Sequence, residues 1–95
     1  MTRGIWLAVA LASSVVLGAA TDAAHAADPA FCRQYSRAAL NQVRGGLSNP
    51  RCAAGMHGAR WSSDFSVHDQ WCLGVSYADA GAERDARTNY LRTCR

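Results

Sequence analysis

The sequence predicts a small all-α domain that is stapled by two disulfide bonds. Three observations lead to this fold class. Apolar residues recur at three- and four-residue steps in three segments, no segment shows a convincing strand pattern, and four cysteines follow an apolar N-terminal leader. A long segment with several glycines and a proline separates the first helical segment from the other two. We therefore expect three helices and one long loop.

Residues 1–26 are predicted to be a cleaved signal peptide. Arg3 supplies a positive start, and residues 5–20 are apolar apart from two serines and one glycine. Ala24 and Ala26 then place small residues three and one positions before a cut that would leave Ala27 as the first residue. A membrane anchor, the alternative, needs about 20 apolar residues, which is longer than this run. We expect residues 27–95 to form a single domain that is periplasmic or secreted.

The exported part contains all four cysteines, at Cys32, Cys52, Cys72 and Cys94. An exported chain meets an oxidising compartment, and a domain this small buries only about 60% of its surface, so it needs covalent cross-links. Four cysteines allow three pairings, and the sequence alone does not select one. If helices one and two run parallel and helix three returns antiparallel, Cys32 would pair with Cys94 and Cys52 with Cys72. We predict this pairing.

The first helix is predicted to start at Asp28, as the N-cap, with Pro29 at the first helical position. It should end before Gly45, since glycine commonly follows the last helical residue. Residues 45–62 lose the helical period and form the long loop. Long loops in small domains are usually functional or pinned, and Cys52 would pin this one.

The second helix can be capped by Ser62, Ser63 or Asp64, and Gly74 ends it. Ser76 caps the third helix, which continues to the C-terminal cysteine. Its small apolar residues should let another helix approach closely. The predicted apolar stripe of this helix consists of Ala78, Ala82, Ala86, Tyr90, Leu91 and Cys94.

The chain is basic, with a formal net charge of +3, and arginine supplies all of its strongly basic side chains. Arginine binds phosphate and carboxylate groups bidentately, so an anionic polymer is a conceivable partner. However, the arginines are spread along the chain instead of forming a cluster, and we expect no nucleic-acid partner. Glu83 and Arg87 should form an i, i+4 pair worth a few tenths of a kcal/mol.

One constellation would suit zinc. Cys52, His57, His68 and Cys72 follow a C-x4-H-x10-H-x3-C spacing, and two thiolates with two imidazoles match tetrahedral zinc. Export and an even number of cysteines favour disulfides instead, with two unrelated histidines. A zinc-binding protein is therefore the alternative function, and we expect neither a metal nor another cofactor.

Asp64, His68 and Cys72 occupy successive turns of one helix face, in an order that resembles an acid, a base and a nucleophile. Neighbours on one helix point side by side and seldom converge on one substrate atom, and a disulfide at Cys72 would remove the nucleophile. We expect no enzyme. The simpler interpretation is that Asp64 caps the helix and hydrogen-bonds His68, which packs beside a tryptophan.

Three residues are candidates for binding a partner. Arg60 and Trp61 could present a cation–π pair, and His57 lies near the middle of the loop, where it is exposed or half-exposed. Trp61 with Trp71 could also form a platform for a glycan. In a domain with so few rings, we expect both tryptophans in the core, with Trp61 the more exposed of the two.

Residues 58–72, with the pattern G-x-R-W-x2-D-x3-H-x2-W-C, resemble the core of a small four-cysteine module of exported bacterial proteins. In that module the string lies between an N-terminal and a C-terminal cysteine helix, and the likeness extends from about Phe31 to Cys94. One departure is that Ala53 and Ala54 precede Gly55, where the module has glycine directly after its second cysteine. The resemblance implies this architecture and export, and it implies no catalytic residues.

Together these features predict a small exported, non-enzymatic binding module. Its partner would be a protein or a cell-envelope glycan, and the module would act as a monomer without a transmembrane anchor. An inhibitor of a secreted enzyme belongs to the same class, with the loop around Cys52 as its probe.

The intact mass of the exported protein tests the leader and the cysteines together. We expect a chain that starts near Ala27 and is four hydrogens lighter than its reduced form, with no bound metal under native conditions. A chain with four free thiols, or with one disulfide and a zinc atom, would contradict this expectation.

Overall fold

The structure is a computed structural model that describes residues 26–95. The predicted signal peptide lies outside these residues, except for Ala26. Within them the chain is all-α, with one isolated β-bridge and two disulfides, so the predicted fold class is confirmed. The helices are α1 (Pro29–Leu47), α2 (Pro50–Ala53), a 3-10 helix (Ala59–Trp61), α3 (Phe65–Leu73) and α4 (Tyr77–Cys94). None of the helices in this part of the chain is both long and apolar enough to cross a membrane.

The helices begin where the capping residues predict. The Asp28 carboxylate accepts a hydrogen bond from the backbone N–H of Phe31 at 2.8 Å, which satisfies one free donor at the start of α1. Asp64 and Ser76 cap α3 and α4 in the same way. These local signals position the starts of all three long helices.

The end of α1 differs from the prediction, because the helix continues through Gly45 and Gly46 to Leu47. Position 46 requires glycine because the side chains of Met56 and Leu91 come very close to its Cα. A Cβ at this position would lie 2.5 Å from the sulfur of Met56 and 2.9 Å from a methyl carbon of Leu91. Glycine therefore acts here as a contact point for the loop and α4, and not as a helix terminator.

The predicted disulfide pairing was wrong. Cys32 is bonded to Cys72, and Cys52 is bonded to Cys94. The error lies in the helix directions: α3 runs back along α1, so its last turn meets the start of α1. In contrast, α4 runs in the same direction as α1, so its last turn meets the segment just after α1.

The loop explains why the helix directions are opposite to those predicted. Residues 48–64 do not carry the chain back along α1. They fold into α2 and the 3-10 helix beside the end of α1, where the ring of Trp61 lies 5.1 Å from that of Tyr90. Instead, it is α3 that runs back along α1. Each disulfide spans about 40 residues, and in the chain-entropy model each contributes about 4 kcal/mol.

Two small apolar clusters form the core, and each contains one disulfide. The first consists of Ala27, Cys32, Tyr35, Cys72 and Ala80, and the second of Val43, Cys52 and Met56. None of these residues except Tyr35 is aromatic. The covalent bonds therefore supply much of the stability that larger side chains provide elsewhere.

The apolar stripe predicted for α4 is wrong in its first half. Ala78 and Ala82 are exposed, whereas Ala80 and Arg87 are fully buried. Alanines occur on several sides of this helix, so their spacing did not identify the face that meets α1. The face that does so carries a buried arginine between the two apolar clusters.

Alanine substitutions at the two adjacent glycines provide a test of this packing. Gly45→Ala should raise the free energy of unfolding by about 0.5 kcal/mol, because alanine favours the helix and nothing lies within 4 Å of its Cβ. Gly46→Ala has the same helix propensity but meets Met56 and Leu91, so it should lower that free energy by about 1–2 kcal/mol. Urea unfolding of the oxidised variants measures both. Equal stability of the two variants would contradict the close contact.

Candidate functional site

A cleft of about 220 Å³ opens where α1, α3, α4 and the 3-10 helix meet. Aromatic and apolar side chains line part of it and charged side chains line the rest. Its principal residues are Tyr35, Arg60, His68, Trp71, Glu83 and Arg87. It is referred to below as the cleft.

Arg87 is the most unusual residue of the cleft, because its side chain is buried and charged. Its Nε donates a hydrogen bond to Oε1 of Gln42 at 2.7 Å, and its guanidinium carbon lies 5.2 Å from the ring centre of Tyr35. The terminal nitrogens Nη1 and Nη2 have no hydrogen-bond partner among the described residues. Oε2 of Glu83 is 3.7 Å from Nη1, which compensates charge but is too far for a hydrogen bond.

Gln42 holds Arg87 in this position. Its amide nitrogen donates hydrogen bonds to the hydroxyl of Thr88 and the backbone carbonyl of Arg84, at 2.9 and 3.1 Å. These two bonds orient the amide so that its oxygen faces the guanidinium. The Arg87 guanidinium is therefore positioned by Gln42 of α1, whose amide is itself anchored to α4.

Glu83 links two arginines at the edge of the cleft. It accepts two hydrogen bonds from Arg60, at 2.6 and 3.0 Å, in the bidentate geometry that guanidinium and carboxylate favour. These bonds hold the pKa of Glu83 below its ordinary value of 4.5, and they raise the pKa of Arg60. With Arg87 included, the cleft contains two guanidinium groups and one carboxylate, so it has an excess of positive charge.

The prediction that Trp71 is a core residue was wrong. The residue is 40% exposed, and its ring lies 5.8 Å from the ring of Tyr35, at the open side of the cleft. Since α3 turns the side chains of Cys72 and His68 toward the core, the neighbouring side chain of Trp71 points toward the edge of the cleft. Trp61, expected to be the more exposed of the two, is half-buried against Tyr90.

His68 is buried but does not contact Asp64 in the way predicted. Its Nε2 is hydrogen-bonded to the backbone carbonyl of Ser62 at 2.7 Å. The Asp64 carboxylate instead accepts from the N–H and hydroxyl of Ser66, which lowers its pKa. Cys72 is in a disulfide, so the acid–base–nucleophile line lacks its nucleophile.

The structure does not favour the alternative zinc site. Cys52 and Cys72 belong to different disulfides, and the exposed His57 is hydrogen-bonded through its Nε2 to the carbonyl of Ala54 at 2.9 Å. Residues 26–95 contain no group of three or more histidine, cysteine, aspartate or glutamate side chains placed to hold a metal ion.

The three residues predicted to bind a partner do not come together. Arg60 lies in the cleft, whereas Trp61 packs on Tyr90 and His57 lies on the exposed part of the loop. Sequence reasoning missed the role of Arg87. The available signal was that Ala80, Glu83, Arg87 and Leu91 follow a helical period, which places a charged pair on the same face as buried residues.

Removal of the Glu83 carboxylate tests its link between the arginines. Glu83→Gln should lower the free energy of unfolding by about 1 kcal/mol at pH 7. Its charged hydrogen bonds to Arg60 become neutral ones, a loss that solvent screens at the half-exposed Arg60, and the buried Arg87 loses its nearest counter-charge. A carboxyl whose pKa is lowered in the folded state stabilises the fold above its ordinary pKa. The difference from the unmodified protein should therefore shrink as the pH falls below 4.5.

The matched control is Asp85→Asn, which removes a carboxylate from an exposed pair on the same helix and should change stability by less than about 0.5 kcal/mol. Asp28 and Asp64 also have lowered pKa values, but they remain in every variant, so their acid dependence cancels. Denaturant unfolding at several pH values measures the effect. An equal loss for both variants, or a loss for Glu83→Gln that is independent of pH, would contradict the assigned role.

Comparisons with known protein families, with curated proteins and with solved structures found no match to this chain. The resemblance of residues 58–72 to a four-cysteine module of exported proteins stays a prediction.

Proposed function

We propose that this protein is a small exported, non-enzymatic binding module and that the cleft is its ligand site. One observation carries the proposal: the buried guanidinium of Arg87 has two terminal nitrogens without hydrogen-bond partners, in a cleft bordered by the exposed ring of Trp71. A buried charge with unpaired donors costs stability. Positions that reduce stability in this way are typical of functional sites, where a ligand supplies the missing partner.

Binding fits the cleft better than catalysis does. Cys72 is committed to a disulfide, and the Nε2 of His68 is committed to a backbone carbonyl. The remaining charged groups, Arg60, Glu83 and Arg87, can hold and orient a ligand. These residues therefore support ligand binding without catalysis.

The cleft is also a better candidate than the loop that an inhibitor would use. Met56 is buried, and Gly55 lies against the hydroxyl of Tyr90, so the middle of this segment packs onto the domain. Residues 48–61 include two short helices and do not form an extended probe. A ligand that enters the cleft requires no such extension.

Export is part of the proposal. The two disulfides fit an oxidising compartment, and residues 1–26 have the pattern of a leader that is removed. We place the protein in the periplasm or outside the cell, as a monomer. Its ligand would come from an envelope component or from a secreted protein.

Fragment binding to the oxidised protein, followed by ¹H–¹⁵N correlation spectra, tests the site. We expect hits to shift the indole resonance of Trp71 together with those of Arg60 and His68. The variant Trp71→Ala should weaken such hits at least about tenfold, since an aromatic contact surface is lost.

Leu73→Ala is the matched control, because Leu73 is on the same helix and is also 40% exposed but does not line the cleft. It should leave affinity unchanged. Hits that shift only residues outside the cleft would contradict the site, and chemical conversion of a bound fragment would contradict the non-enzymatic function.

A further inference from the structure

The unpaired donors of the cleft indicate the chemistry of its ligand. We infer that the cleft binds a small carboxylic acid with an aromatic or apolar group, whose carboxylate is held by Arg87 and Tyr35 and whose apolar part lies against Trp71. This inference rests on the proposed function and specifies the ligand of the same site.

Three donors of the residues that line the cleft have no partner within the described part of the chain. Nη1 and Nη2 of Arg87 and the hydroxyl of Tyr35 are all buried without a hydrogen-bond partner among residues 26–95, and both side chains line the cleft. The two terminal nitrogens of a guanidinium form a planar fork that matches the two oxygens of a carboxylate. A bound carboxylate would therefore satisfy several donors that the fold leaves unpaired.

The charge of the cleft favours a monoanion. Arg60 and Arg87 contribute two positive charges, and Glu83 contributes one negative charge, so one positive charge remains uncompensated. A neutral ligand would leave that charge buried, and a cation would add to it. A phosphate ester also fits a guanidinium fork, but with two charges it would overcompensate the site.

The remaining walls indicate the rest of the ligand. Val67 and Trp71 are one helical turn apart on α3 and are 37% and 40% exposed, so they present an apolar surface at the opening. The volume of about 220 Å³ is below the 300 Å³ or more that is common for drug-sized ligands. It is suited to one ring or a short branched chain beside the carboxylate.

Access to the donors requires the edge of the cleft to open, because Nη1 and Nη2 of Arg87 are buried. The Arg60–Glu83 ion pair lies at that edge, and the Arg60 side chain is 46% exposed. A shift of this pair as a unit would open the edge and leave both charges beside the ligand. Rotation of exposed side chains is fast, so this opening should not limit binding.

Three probes of similar shape test the inference: phenylacetate, its uncharged analogue phenylacetamide, and phenyl phosphate. The oxidised protein is titrated with each at constant ionic strength, and the shifts of the Trp71 indole and of Arg60 are followed. Phenylacetate should bind at least about tenfold more tightly than phenylacetamide, because the amide cannot neutralise Arg87. It should also bind more tightly than phenyl phosphate.

Two tyrosine variants separate ligand binding from folding. Tyr35→Phe removes a buried hydroxyl that has no partner, so the fold should be at least as stable, whereas phenylacetate should bind about five- to tenfold more weakly. Tyr90→Phe removes a hydroxyl that donates to the carbonyl of Cys52 at 2.8 Å outside the cleft. It should reduce stability and leave phenylacetate affinity unchanged.

Arg87→Lys keeps the charge but removes the fork, and it should weaken phenylacetate binding more than Tyr35→Phe does. Equal binding of the acid and the amide in the cleft would overturn the carboxylate inference and leave the binding site intact. Preference for phenyl phosphate, or full affinity in Tyr35→Phe, would also overturn it. If no fragment of any class shifts the cleft resonances, the proposed function fails as well.

Discussion

A disulfide at each end of α1 holds the other helices in place. Cys32–Cys72 ties the start of α1 to the last turn of α3, and Cys52–Cys94 ties the segment after α1 to the last turn of α4. Since α3 and α4 run in opposite directions beside α1, their last turns are anchored at opposite ends of it. The apolar clusters around these bonds are made mostly of small side chains, so the cross-links supply much of what holds this arrangement together.

The cross-links also account for a buried charge in so small a domain. Arg87 occupies a position between the apolar clusters where another protein would place leucine or methionine, and its terminal nitrogens stay unpaired. A domain that depended on its core alone would tolerate this poorly, since its total stability is only about 5–15 kcal/mol. Two disulfides, at about 4 kcal/mol each in the chain-entropy model, offset that cost.

Much of the fold follows from local sequence, and the part that does not has a physical reason. Asp28, Asp64 and Ser76 set the helix starts, because a cap needs only its own first turn. The disulfide pairing depends on helix direction, which the folded loop decides, and alanines on several sides of α4 hid its inward face. Arg60 could be proposed as a binding residue because Trp61 follows it in the sequence. Arg87 could not, because its burial depends on how α4 packs against α1.

The disulfides give the cleft one rigid wall and one movable wall. Tyr35 lies one turn after Cys32, and Trp71 directly precedes Cys72, so the covalent bond between these cysteines ties together the two segments whose rings lie 5.8 Å apart. No cysteine lies in the 3-10 helix, and within residues 26–95 the side-chain hydrogen bonds of Arg60 are those to Glu83. A ligand that displaces contacts beside Arg60 meets the preformed apolar surface of Tyr35 and Trp71. The entropy that the protein loses on binding is therefore small, because it comes mainly from the side chains at the Arg60 edge.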